Sequence, residues 1–126
     1  MPHRILIVDD DVLVLEALQE LLTSSEHEVR VATRGQEALE ILDEEHFDLL
    51  ILDVVMPKMT GFDLAREVRK RDDEMSKVKI IMLTARTEPR DLQSEEECGC
   101  NLYLTKPIDP GRLKELVKDT LEDSAQ

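Results

Sequence analysis

One run restricts the fold more than any other: Leu49-Leu50-Ile51-Leu52, four apolar residues closed by a single acid, Asp53. A strand with one wet face alternates apolar and polar residues, and this run does not. It reads as a strand covered on both sides, the condition of a parallel sheet between layers of helix. Pro57 and Gly61 interrupt the chain after it, and Thr60 is placed to cap a helix beginning near Phe62. A carboxylate is therefore predicted where a buried strand meets its loop. In open α/β sheets, ligand chemistry gathers at the carboxyl ends of strands. Alone, such an acid is equally a solvated strand end, so the rest of the chain decides its meaning.

Arg4–Val8 (RILIV) is a similar run and stops at Asp9, Asp10 and Asp11. Val14, Leu15, Leu18, Leu21 and Leu22 follow at helical spacing, with Glu16, Gln19 and Glu20 on the opposite face. Val29 and Val31 mark a weaker strand nearer an edge. Thr33 and Gln36 have the spacing of a capping box for a helix carrying Ala38, Ile41 and Leu42. Leu64, Ala65 and Val68 face inward on the helix after Asp53, and Arg69–Lys77 reads as solvated loop. Lys79–Thr84 (KIIMLT) is a fourth strand, apolar up to its polar last residue. A helix is expected around Asp91–Cys98, with Leu92 as its clear core candidate. Leu102–Leu104 gives a fifth strand, followed by Thr105-Lys106-Pro107. Asp109 then caps a last helix with Pro110 at its first position and Leu113, Leu116, Val117 and Leu121 inward. Strands alternating with helices, without linker or repeat, predict one α/β domain over residues 1–126. Its parallel sheet carries helices on both faces, joined by right-handed crossovers. The pattern leaves the strand order open.

Apolar residues make up 41% of the 126 and aromatics 2%, so the core has to be aliphatic. A net charge of −13, from 29 acids and 16 bases, repels phosphate backbones and anionic lipid. No direct nucleic-acid binding is expected. No apolar segment approaches the length of a membrane span and no signal peptide precedes the first strand, which implies a cytoplasmic protein with no membrane association. Cys98 and Cys100 cannot build a four-ligand zinc site and are expected as free thiols. His3, His27 and His46 read as ordinary surface or edge histidines.

In a parallel sheet the strand ends carrying Asp9, Asp10, Asp53, Thr84 and Lys106 share one edge, so these side chains can converge. Clustered carboxylates repel and need a counter-charge. Mg²⁺, a hard cation that takes one or two carboxylates, backbone oxygen and waters, suits them. A lysine adds a compact cation for a phosphoryl oxygen and a threonine hydroxyl can donate to another. This set points to phosphoryl transfer.

The pieces ILIVDDD, DLLILDVVMPKMTG, IIMLTA and YLTKP, in that order from about Arg4 to Leu121, resemble the receiver domain of two-component response regulators. The resemblance implies the flavodoxin-like (βα)5 fold with strand order 2-1-3-4-5, whose switch point falls between the first and third strands, beside Asp10 and Asp53. Carried over by position, Asp53 is similar to the phosphoacceptor. Asp10, Asp53 and the Val55 carbonyl would hold Mg²⁺ directly, and Asp9 mainly through water. Thr84 resembles the switch hydroxyl, Lys106 its charge partner and Tyr103 the switch aromatic, with a cis Lys106–Pro107 bond. Val55 and Arg86 would flank the approach of hydrolytic water and favour a slowly decaying phosphoryl group. The implied partners are a sensor histidine kinase or phosphotransfer protein and a downstream effector protein. A monomer or a phosphorylation-linked homodimer is expected. Such a domain is no separate enzyme and catalyses only its own phosphorylation and dephosphorylation.

Ile108, Leu102 and Cys98-Gly99-Cys100 depart from the family's usual residues on the face that meets partners. Three other readings compete. A phosphorylation-silent interaction module would have no need of all five polar residues. A Mg²⁺-dependent aspartyl phosphatase would carry a second Asp where Val55 stands. A flavin-binding domain would have a Gly/Ser/Thr-rich cradle after Val8.

Overall fold

Five strands, Arg4–Val8 (β1), Glu28–Ala32 (β2), Leu49–Asp53 (β3), Lys79–Thr84 (β4) and Leu102–Thr105 (β5), form one sheet in the order β2-β1-β3-β4-β5. All four pairings are parallel. The computed structural model describes residues 3–84, 99–106 and 108–124. Four helices lie among them: Val12–Thr23 (α1), Gly35–Glu44 (α2), Gly61–Arg69 (α3) and Pro110–Ser124 (α4). The helix expected around Asp91–Cys98 and the Lys106–Pro107 bond fall outside the described residues.

The unbroken apolar strands follow from a core divided by the sheet. Along β1 and β3, alternate residues point to opposite faces. Leu6, Val8, Leu50 and Leu52 join Ala38, Leu42, Leu64, Ala65 and Val68 of α2 and α3 in one cluster. Ile5, Ile7, Leu49 and Ile51 join Leu15, Leu18, Leu22, Leu113, Val117 and Leu121 of α1 and α4 in the other. Each fully buried Leu or Ile contributes about 1.5–3 kcal/mol relative to an exposed one, so both faces have to be apolar for this stack to hold. β2 is the edge strand its weaker pattern predicts, with exposed and half-buried residues up to Ala32.

Three local expectations are corrected. The α2 cap is Arg34, without a side-chain bond, and not Thr33. The helix starts one residue later than Thr33 would set it, so Glu37 becomes the third helical residue and takes the Thr33 N–H at 2.8 Å. Arg69–Lys77 is not simply solvated loop. Arg69 closes α3 and donates to the carbonyls of Ser76, Val78 and Gly99, while Glu74–Lys77 forms a 3-10 turn that buries Met75. Cys100 is disulfide-bonded rather than a free thiol; Gly99 beside it turns the chain with φ of 80°. The Thr60 cap holds in full: its hydroxyl accepts the Asp63 N–H, and the Asp63 carboxylate accepts the Thr60 N–H, both at 3.1 Å. Asp109 likewise accepts the Gly111 N–H at 3.0 Å at the start of α4.

Candidate phosphoryl-transfer site

Register brings the acids together. Val8 of β1 pairs with Leu52 of β3, so the next residues, Asp9 just past β1 and Asp53 closing β3, stand on adjacent strands at the sheet's carboxyl edge. Thr84 at the end of β4 pairs with Thr105 of β5, and the Lys106 N–H continues the ladder to the Thr84 carbonyl at 2.7 Å. Asp9, Asp10, Asp53, Thr84 and Lys106 therefore share the carboxyl edge, as the strand pattern predicts. Asp9, Asp53 and Thr84 are buried and Asp10 is exposed.

Lys106 Nζ lies 3.0 Å from Asp9 Oδ2 and 3.1 Å from Asp53 Oδ1. One ammonium thus bridges two carboxylates that would otherwise repel across a dry strand end. The Asp9 carboxylate also accepts the Asp11 N–H at 2.9 Å, so both of its oxygens are engaged. Asp11 in turn caps α1 by accepting the Leu13 N–H. Burial, reinforced by the negative charge of Asp9, pushes the Asp53 carboxyl up to about 6; the hydrogen bond and charge of Lys106 limit the rise. For Lys106, burial favours the neutral amine, but hydrogen bonds and charge from Asp9 and Asp53 outweigh it and the net shift is upward.

The loop after β3 passes close to the site because of two contacts. Val54 N–H donates to the Leu83 carbonyl at 2.9 Å and Gly61 N–H donates to the Val54 carbonyl at 3.0 Å. A Cβ at Gly61 would stand 2.2 Å from the Asp53 carbonyl oxygen. Gly61 is thus required for close approach to the site residue, a role the sequence shows only as a turn signal. Val55 on this loop is half exposed, as is Val12 where α1 leaves the acids, and Leu13 beside it is largely exposed. Tyr103 on β5 is half-buried and packs against the α2–α3 side of the core.

The donor set fits a hard divalent cation. Asp9, Asp10 and Asp53 each offer a carboxylate oxygen, all within 4.8 Å of one another. Two oxygens on opposite sides of Mg²⁺ are about 4.2 Å apart at its usual bond lengths, so the cluster has the dimensions to hold the ion directly on some of these carboxylates and through water on the others. Among the described residues this is the one cluster of three or more such groups.

Residues 5–118 match the family described as response regulator receiver domain. The chain is 39% identical over 119 residues to a protein named probable transcriptional regulator ycf27 from Cyanidium caldarium, covering 94% of this chain and 46% of that one. It spans about half the length of the curated relatives it matches. Its fold superposes with a TM-score of 0.92 on a CheY-like response regulator receiver domain protein from Methanospirillum hungatei, 30% identical, covering 99% of this chain and 98% of that one. At 24% identity the fold is also that of the receiver domain of a Pseudomonas aeruginosa sensor histidine kinase, with a TM-score of 0.88 over 97% of this chain and 99% of that one. That protein was solved with magnesium coordinated in its active-site cleft.

Proposed function

The chain belongs to the response regulator receiver domain family, and from that premise we propose that its Asp53 carboxylate accepts a phosphoryl group from a phosphohistidine on a partner kinase or phosphotransfer protein. The observation that carries this reading is Lys106 bridging Asp9 and Asp53 at the one cluster of acids, among the described residues, that can also hold a divalent cation. An Asp53 oxygen attacks phosphorus, the N–P bond breaks, and the imidazole leaves with the electron pair. Lys106 is already within ion-pair distance of the attacking carboxylate, so it meets the phosphoryl oxygens without a large movement. Thr84, buried at the end of β4, is the hydroxyl placed to follow the added charge, and Tyr103 on the neighbouring strand is the ring that answers it.

Asp10, Asp53 and the Val55 carbonyl are the groups that would hold Mg²⁺. Asp9 acts on it indirectly, since Lys106 and the Asp11 N–H occupy its oxygens. When bound, the ion supplies positive charge to phosphoryl oxygens and offsets the crowded acids. Residues 1–126 act as a single receiver domain that catalyses its own phosphorylation and dephosphorylation in the cytoplasm. No helix among the described residues is long and apolar enough to cross a membrane. The partners are a histidine kinase or phosphotransfer protein and an effector protein that reads the switched surface. The test is transfer from a histidine kinase labelled on its phosphohistidine. Label should pass to this chain in a form cleaved by hydroxylamine, as an acyl phosphate is, and only with Mg²⁺ present. Label that resists hydroxylamine, or that passes equally in EDTA, contradicts the reading.

A further inference from the structure

At the opposite end of the sheet two imidazole rings lie together. His3 precedes β1 and His27 lies in the turn between α1 and β2; their ring centres are 5.9 Å apart and the planes are tilted by 54°. Both rings line a cavity of about 450 Å³ that α4 closes with Lys114, Glu115, Lys118 and Glu122. His27 Nδ1 is shut off from solvent and has no hydrogen-bond partner, the one such side-chain atom among the described residues. A buried polar atom without a partner weakens the fold, and a group bound to it would relieve that cost.

We propose that His3 and His27 form a two-imidazole site for a borderline divalent cation of the Zn²⁺ class, completed by water or by the Glu122 carboxylate. Imidazole nitrogen suits Zn²⁺, Ni²⁺ and Cu²⁺, whereas the oxygen cluster at Asp53 suits Mg²⁺. Two imidazoles bound tetrahedrally to one ion at about 2.0–2.1 Å hold their ring centres roughly 5.2 Å apart, so binding would draw the rings together by somewhat under 1 Å from the observed 5.9 Å. Fixed charges in the cavity balance, with Lys114 and Lys118 against Glu115 and Glu122, so the lining does not expel a cation. Burial, and then the neighbouring His3, lower the His27 pKa, which keeps that ring in its neutral, ligating form. β1 separates His3 from Asp9, so this site stands roughly 17 Å or more from the phosphoryl-transfer edge. An ion here would tie the start of β1 and the α1–β2 turn to α4.

The test is Zn²⁺ added to the full chain, carrying Asp10→Asn to weaken the oxygen cluster, and followed through the imidazole ¹⁵N resonances. One equivalent should shift a ring nitrogen of both His3 and His27 and leave His46, the remaining histidine, unchanged. Zn²⁺ should also raise the unfolding temperature, and adding His27→Gln should abolish that rise. Shifts confined to His46, a shift of one ring alone, or an equal rise in the His27→Gln chain each overturn the proposal. The result is independent of whether Asp53 accepts phosphate.

Discussion

Lys106 Nζ stands 3.1 Å from Asp53 Oδ1, although Asp53 closes β3 and Lys106 directly follows β5, two strands that are not neighbours. β4 lies between them, ending in buried Thr84. The lysine therefore reaches over a strand end to neutralise a carboxylate that burial has made reluctant to ionise. Replacing it by methionine keeps the length of the side chain and removes the cation. In Lys106→Met the Asp53 carboxyl should titrate above 6, measured by ¹³C NMR of the aspartate carboxyls. Phosphorylation by a small donor should slow by about a hundredfold, the scale of losing one charge-stabilising donor. An unchanged titration would show that the bridge is not felt by Asp53.

Stability should depend on pH through the same carboxyl. The Asp53 pKa is raised in the folded chain, from an ordinary 3.8 to about 6, so the folded state binds this proton more tightly than the unfolded one. Its contribution to stability is complete below about pH 4 and is lost as pH rises through about 6. In EDTA, denaturant unfolding of the native chain should show that loss, and Asp53→Asn should remove it. His27 acts with the opposite sign: its lowered pKa favours the neutral ring, so its contribution is lost as pH falls below 6.5. A native chain that gains stability between about pH 4 and 7 as steeply as Asp53→Asn does would contradict the sign given to Asp53.

Gly61→Ala should destabilise the fold by about 1–3 kcal/mol, the usual cost of forcing extra volume into a packed place. The added Cβ would meet the Asp53 carbonyl oxygen at 2.2 Å and Met82 Sδ at 2.9 Å; the thioether can move, but the backbone oxygen cannot. Urea unfolding measures the loss. At Gly111 an added Cβ meets only Asp109 Oδ1, at an ordinary contact distance of 3.5 Å. A shift in midpoint for Gly61→Ala no larger than that of Gly111→Ala would show that the close approach is soft.

Much of this architecture is legible in the amino-acid order because it repeats. The apolar runs of β1, β3 and β4 each lead into a polar residue, Asp9, Asp53 and Thr84, which states both the burial of the strand and the edge where chemistry gathers. The Thr60–Asp63 cap is equally local. Contacts between distant segments are not written in that way. Nothing around Arg69 shows that its guanidinium will reach Gly99, thirty residues away, and close on backbone carbonyls. The start of α2 moves because Glu37 outcompetes Thr33 and Gln36 for the free N–H groups, a choice between near-equal local partners. Gly61 looks like any turn glycine until Asp53 is packed against it. The strand order comes from the family resemblance, since alternation alone does not choose among doubly wound sheets.

The phosphoryl group should decay slowly. Val55, two residues past Asp53, is half exposed beside the site and presents methyls that cannot orient water. Arg86 is the other flank the family resemblance names and lies outside the described residues. Replacing Val55 by Asn and Arg86 by Glu should speed hydrolysis about tenfold, or about 1.4 kcal/mol of barrier. The decay is followed after removal of the phosphodonor. A rate equal to or below that of the native chain would show that these side chains do not control the water.

The most direct test of the phosphoacceptor assignment is the intact mass of the chain after incubation with acetyl phosphate and Mg²⁺, followed by borohydride reduction and peptide mapping. The native chain should gain one phosphoryl group, reduction should convert Asp53 and no other aspartate, and Asp53→Asn should gain none. Equal labelling of Asp53→Asn, or a modification that maps to Asp9 or Asp10, would contradict it.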